Sequence, residues 1–383
     1  MQIHRPLLAF EFLFFGVLAI TAFYTTPLLV EIGFTEHEIG WFFIIAYSAT
    51  ILGLILSPYA MHKYGNRRVT FVALACAALS LIAIPLATPL GALIAFVINT
   101  VCSLILYTSL DIFIEQTTKH EGDTGLLRGV FYTASNLAFV IVPGFAALLV
   151  TLHGYAGLYA FGSFVLLLCL MIVHFGLRHI PEARYHPLAI PALIQTLKKK
   201  RDVRHIFIVQ AVMRMFSALM VVYMPVYLTV HLGFSLAEMG LIFSIAMAPF
   251  VLIQLPLGFL ADTRFGEKEF LFAGLLIMGL STLAIPFITV HTFWVWTALL
   301  FTTRIGAASI EIMSDVYFFK HMKGADAGIV SAFRILFPLS YVITPLIVGV
   351  LLVFTSIDVL FGLLGALILL IGLPVTLLLK DTR

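Results

Sequence analysis

Charge is scarce in this chain. Its 383 residues include 19 acidic and 22 basic side chains, 11% in all, where soluble domains carry about 25%. Apolar residues make up 62%, against about 45–50% in a soluble domain, and the mean hydropathy is +1.10. Water could not cover that much apolar surface, so a water-soluble protein is excluded and lipid must be the solvent for most of the chain.

Other absences narrow the chemistry. Cysteine is limited to Cys76, Cys102 and Cys169, each inside an apolar run, and these read as reduced packing residues. No CxxC motif or His/Cys cluster is present, so neither a metal nor a cofactor is expected. No Asn-x-Ser/Thr sequon occurs. No phosphate-binding Gly-x-x-x-x-Gly-Lys-Ser/Thr loop occurs, so nucleotide hydrolysis is not the driving force. No nucleophile–base set stands out, and an enzyme is not expected. The first apolar run is long and lacks a small-residue cleavage site, so it is expected to remain as a membrane span.

What fills the chain is apolar runs. Crossing the hydrocarbon takes about 20 apolar residues, and twelve runs qualify: 6–30, 38–61, 68–87, 90–115, 128–151, 156–178, 205–230, 237–261, 269–290, 293–318, 327–353 and 357–379. The long connection, 179–204, contains Pro181, Pro187 and Pro191 and the basic run Lys198, Lys199, Lys200, Arg201. It separates an N-terminal bundle (1–178) from a C-terminal bundle (205–383), and its residues 188–200 suit a short amphipathic surface helix. If both termini are cytoplasmic, 19 of the 22 basic residues fall on that side. The other three, Arg214, Arg304 and Arg334, lie inside spans, and the outer loops hold none. This bias agrees with the positive-inside rule, and a miscounted span would have destroyed it.

The halves repeat at an offset of about 200 residues. Gly33-Phe34-Thr35 recurs as Gly233-Phe234-Ser235, and Glu38-Ile39-Gly40 as Glu238-Met239-Gly240. Ser80-Leu81-Ile82-Ala83-Ile84-Pro85 recurs as Ser281-Thr282-Leu283-Ala284-Ile285-Pro286. Six spans per copy make the repeats parallel, an arrangement that places a solute site near the midplane between halves. The expectation is an all-α membrane protein with twelve transmembrane helices in two pseudo-symmetric six-helix bundles.

The chain resembles the major facilitator superfamily over its whole length. The family's marker after the second span of each half is roughly Gly-x-x-x-Asp-Arg-x-Gly-Arg-Arg. The second half carries Gly258-Phe-Leu-Ala-Asp262-Thr-Arg264-Phe-Gly266-Glu-Lys268, with Thr263 as one extra residue. The first half carries Pro58-Tyr-Ala-Met-His62-Lys63-Tyr-Gly65-Asn-Arg67-Arg68, where Pro58 replaces the first glycine and His62 the acid. The glycine allows helices to approach closely, and an aspartate at a helix end suits a helix N-terminus. The resemblance implies that Asp262 meets the start of the fifth span, near Arg128 and Gly129, as a cytoplasmic latch that is weaker at His62. The Gly-Pro-rich signature of proton-coupled antiporters is poorly matched by Asn136-Leu-Ala-Phe-Val-Ile-Val-Pro143-Gly144, which weakens drug efflux.

The resemblance also implies that spans 1, 4, 7 and 10 line the path. An ionisable residue inside a span is costly and functional by default. Arg214 lies about 14 Å in from one side and Arg304 about 16 Å in from the other, at 1.5 Å per residue. Both are substrate candidates, with a planar fork suited to carboxylate or phosphate; the alternative is a structural ion pair with Glu311. Gln210 joins them on the seventh span. Arg304, Ala308, Glu311 and Asp315 share one helix face, as do Asn99, Ser103, Tyr107 and Asp111. Such stripes line a polar path or bind packed helices together; Asn99 and Tyr107 are counted as substrate candidates. Glu11, about 8 Å in, Asp111 and Glu311 are proton-coupling candidates, because burial and a nearby cation act oppositely on a carboxyl.

The expected protein is a secondary active transporter of a small organic solute, working by alternating access and coupled to protons. Its expected direction is export, as multidrug or organic-anion efflux. Uptake symport or facilitation is the alternative, and a non-translocating receptor a further one. The expected partners are the solute, a coupling ion and the bilayer of a bacterial inner membrane; a monomer is expected, and no nucleic acid.

Overall fold

The computed structural model describes residues 4–117, 124–181, 190–263, 266–321 and 333–380. Every regular element among them is helical. The chain divides into two compact units, Met1–Pro187 and Leu188–Arg383, and the border falls within the long connection.

Unit one begins with α1 (Arg5–Ile32), α2 (Glu36–Tyr64), α3 (Asn66–Ala83) and α4 (Pro89–Thr117). The helical run Thr124–Met171 then breaks at Gly154, whose φ of 66° and ψ of −177° no helix accommodates. It therefore comprises α5 (124–153) and α6 (155–171). The positive φ is a conformation that glycine adopts without a Cβ clash.

Unit two opens with α7 (Ile190–Lys199), the amphipathic segment, in which Leu193 is buried and Lys198 and Lys199 close the last turn. The connection is thus partly helical, and α8 (Arg201–Val222) already starts inside it. α8 continues through Met224–Val226 and the π turn Tyr227–His231. Then come α9 (Leu236–Leu252), α10 (Gln254–Thr263), α11 (Glu267–Leu283), α12 (Phe293–His321), α13 (Leu336–Leu351) and α14 (Ile357–Leu367), the last prolonged to Leu377.

Among the described residues, ten helical stretches are long and apolar enough to cross a membrane. One of them, Gly129–Gly176, holds both α5 and α6, and α13 is a shorter apolar helix. Together they give twelve crossings, six per unit, with α9 and α10 forming one crossing. The start of the expected eleventh span lies outside the described residues. Outward-facing positions are apolar: Leu52, Leu79, Leu90, Leu148, Phe259 and Leu370 are all exposed, as a lipid-facing surface requires.

The sequence repeat is a structural repeat. Gly33 and Gly233 both have positive φ, 106° and 70°, and each precedes a capping box. The Thr35 hydroxyl donates to Glu38 Oε2 at 2.8 Å, and the Ser235 hydroxyl to Glu238 Oε2 at 2.8 Å. Ile84–Leu86 and Ile285–Phe287 are matching 3-10 turns. Packing repeats as well: α1 lies on α5 as α8 lies on α13, and α4 on α2 and α3 as α12 lies on α9 and α11.

Candidate functional site

In unit one, α1, α4 and α5 bring polar groups together in apolar surroundings. Glu11 of α1 is 4% exposed. The Ser135 hydroxyl of α5 donates to its Oε1 at 2.6 Å, and the Phe131 carbonyl lies 3.1 Å from the same hydroxyl. Glu11 Oε2 has no hydrogen-bond partner among the described residues. Glu11, Phe15, Tyr107, Leu110, Asp111, Ile114, Phe131 and Tyr132 line a small pocket. Asp111 is within electrostatic reach of Glu11, and the Phe15 and Tyr107 rings meet at 5.9 Å.

The polar stripe on α4 thus divides. Tyr107 and Asp111 reach this pocket. Asn99 does not: it is 2% exposed, and its amide donates to Ala77 O at 3.3 Å and Ser80 Oγ at 3.5 Å on α3. Its polarity serves the α3–α4 crossing.

In unit two, α8 and α12 carry the corresponding charges, and α13 packs beside α8. Arg214 lies 3.6 Å from Glu311 and 5.9 Å from the Phe337 ring, and Gln254 donates to Glu311 Oε2 at 3.4 Å. The arginine that pairs with Glu311 is therefore Arg214, not Arg304. Gln210 is 2% exposed and accepts from the Ser314 hydroxyl at 2.8 Å. Arg304 is 4% exposed, lies 5.2 Å from the Phe216 ring, and leaves Nε without a hydrogen-bond partner among the described residues.

The marker loops show another repeat. Gly65 turns the chain from α2 into α3 with a φ of 83°, and the next residue, Asn66, is 1% exposed and donates to Ser109 O of α4 at 3.2 Å. Gly266 caps α11, its N–H donating to Glu269 Oε2 at 3.0 Å. The next residue, Glu267, is buried and ion-paired with Lys320 of α12. His62 is exposed, and Arg67 donates to His174 O at 3.4 Å. A Cβ at Gly258 would meet Ile312 at an ordinary 3.8 Å, so no close helix approach occurs there. The side chains of Arg128 and Asp262, and the whole of Arg264, lie outside the described residues.

The sequence reading missed Ser135, Asn66, Glu267, Phe216 and Gln254. Asn66 and Glu267 carried a signal, since each follows the marker glycine directly in its half. Ser135 sits in a small polar cluster, Thr133-Ala-Ser135-Asn136, on an otherwise apolar span.

Two six-crossing units with buried charges inside their apolar helices suit a membrane transporter rather than an enzyme. The comparisons agree. The chain matches the family description "Major Facilitator Superfamily" over residues 7–205 and again over 206–383. It belongs to that family and is an integral, multi-pass membrane protein. Among solved structures it is similar to a mutant of the nucleoside transporter NupG, with a TM-score of 0.79 and 13% sequence identity over 99% of this chain and 100% of the other. Among curated proteins, none matches the chain by sequence.

Proposed function

We propose that the protein is a proton-coupled secondary transporter of a small organic solute, with Glu11 as the coupling carboxyl. The observation that carries this reading is the Glu11–Ser135–Phe131 arrangement. An ionised Glu11 accepts the serine proton at 2.6 Å. A protonated Glu11 donates to Ser135 Oγ, and the serine hydroxyl turns to the Phe131 carbonyl at 3.1 Å. Both forms of the carboxyl thus keep a hydrogen bond, which lowers the cost of exchanging a proton in a buried site. Asp111, on the same pocket, is the group through which a proton reaches or leaves Glu11. Alternating exposure of that pocket to the two sides of the membrane would link proton movement to solute movement.

The test uses the full chain in proteoliposomes with a trapped pH dye. Nucleosides (after the structural likeness), carboxylates, phosphate esters, sugars and tetraphenylphosphonium are offered in turn. At least one solute is expected to move protons with it, and Glu11→Gln is expected to abolish that proton flux while solute-for-solute exchange continues. The sign of the proton flux separates antiport, the expected direction, from symport. Unchanged proton coupling in Glu11→Gln would overturn the assignment.

A further inference from the structure

Arg304 is a buried charge that the coupling scheme does not use. It projects from α12 about 16 Å along the helix from Phe293, at 1.5 Å per residue, and is 4% exposed. Its guanidinium carries five N–H donors and a permanent charge. One face meets Phe216 of α8 at 5.2 Å, and Nε has no hydrogen-bond partner among the described residues. No carboxylate among the described residues forms an ion pair with it; Glu311, on the same helix, is within electrostatic reach but makes its contacts with Arg214 and Gln254. Tyr341 of α13, also 4% exposed, is the neutral polar group within electrostatic reach. A cation–π contact returns little against the desolvation of an unpaired cation. Buried charges are ordinarily paired or hold a ligand. This one is buried and has no ion-pair partner among the described residues.

We propose that Arg304 is an anion-binding residue of unit two, holding the oxyanion of a carboxylate or phosphate-ester substrate where α8, α12 and α13 pack. The planar fork matches two oxygens of such a group at once, and Phe216 fixes the plane of the fork. Arg214 does not compete for the same role, because Glu311 already neutralises it. The proposal deepens the transport reading and rests on it for the word substrate.

The experiment is thermal unfolding of the purified full chain with benzoate, succinate, inorganic phosphate, uridine monophosphate, uridine, glucose and tetraphenylphosphonium. At least one oxyanion is expected to raise the wild-type Tm by about 5 °C near saturation. Arg304→Met is expected to unfold at a higher temperature than the unliganded wild type, because it removes an unpaired buried charge, and to lose the anion response. Arg304→Lys is expected to keep part of that response. A response to the carboxylates or to the phosphates alone identifies which oxyanion is held. The proposal fails if no anion shifts the wild type, or if Arg304→Met still responds to one. Flux separates it from the transport reading. Proton-linked uridine or tetraphenylphosphonium flux with no anion response sinks the anion site alone. Arg304-dependent anion binding with no flux of any solute sinks transport alone.

Discussion

A buried polar side chain in lipid is informative in proportion to what would be left behind if its partner were removed. Ser314 and Gln210 make the point. The Ser314 hydroxyl has two acceptors, Gln210 Oε1 at 2.8 Å and Glu311 O at 3.1 Å, whereas Gln210 Oε1 depends on Ser314. Ser314→Ala should orphan the glutamine oxygen and cost about 1–3 kcal/mol. Gln210→Leu leaves the serine an alternative and should cost less. Reversible unfolding in mixed micelles reads the difference, and equal costs would mean that the 2.8 Å bond contributes nothing particular. The same comparison applies to Gln210 as a substrate residue. If the bond to Ser314 is its main role, the double variant Gln210→Leu, Ser314→Ala should transport normally.

At the scale of elements, the two halves hold equivalent helix crossings by different means. In unit one, the α3–α4 crossing is pinned by Asn99, which donates across it to Ala77 O. In unit two, the matching α11–α12 crossing is a close backbone approach. A Cβ on Gly306 would lie 2.5 Å from Gly274 O and 2.7 Å from Met278 N. Backbone cannot yield there as a flexible side chain would, and small residues at a helix interface are a common membrane device. Gly306→Ala should therefore lower stability by about 1–3 kcal/mol, more than a neutral swap at an exposed apolar position of the same helix such as Val295→Ile. An unchanged unfolding curve would show that α11 and α12 can slide apart at no cost. These contrasts also explain what could be seen beforehand. The paired segments around Thr35–Glu38 and Ser235–Glu238 were legible as a repeat because their residues are contiguous in the chain; that they are helix caps emerged from the structure. The twelve crossings were legible because lipid imposes length and polarity on each one. The Gly306–Gly274 contact and the choice of Arg214 over Arg304 for Glu311 were not. Residue spacing gives the face of a helix, while which residues of another helix oppose that face is set by tertiary packing. Asn99 is the instructive case: its spacing put it on a polar stripe, and only the neighbour across the crossing decides whether such a stripe meets water or a carbonyl.

At the scale of the whole chain, charge placement carries the argument. Each unit crosses six times and so returns to the side it started from. The basic residues follow that parity: Lys63, Arg67 and Arg68 join α2 to α3, and Lys198, Lys199 and Lys200 precede the first crossing of the second unit. The turns at Glu36, Thr88 and His291, at the other ends of the helices, carry neither Lys nor Arg. Moving a lysine or arginine through the hydrocarbon is costly, so the two sets of turns should face opposite compartments, with the basic set cytoplasmic. Single cysteines test this in a background where Cys76, Cys102 and Cys169, none of them in a disulfide, are replaced by alanine. Glu36→Cys and His291→Cys should react with a membrane-impermeant maleimide on intact cells. His62→Cys and Arg68→Cys should react only after the membrane is opened. Labelling of Glu36→Cys outside but His291→Cys inside would mean that the second unit enters from the opposite side. The repeat would then be inverted rather than parallel, and the equivalence of Asn66 with Glu267, and of α4 with α12, would lose its physical basis.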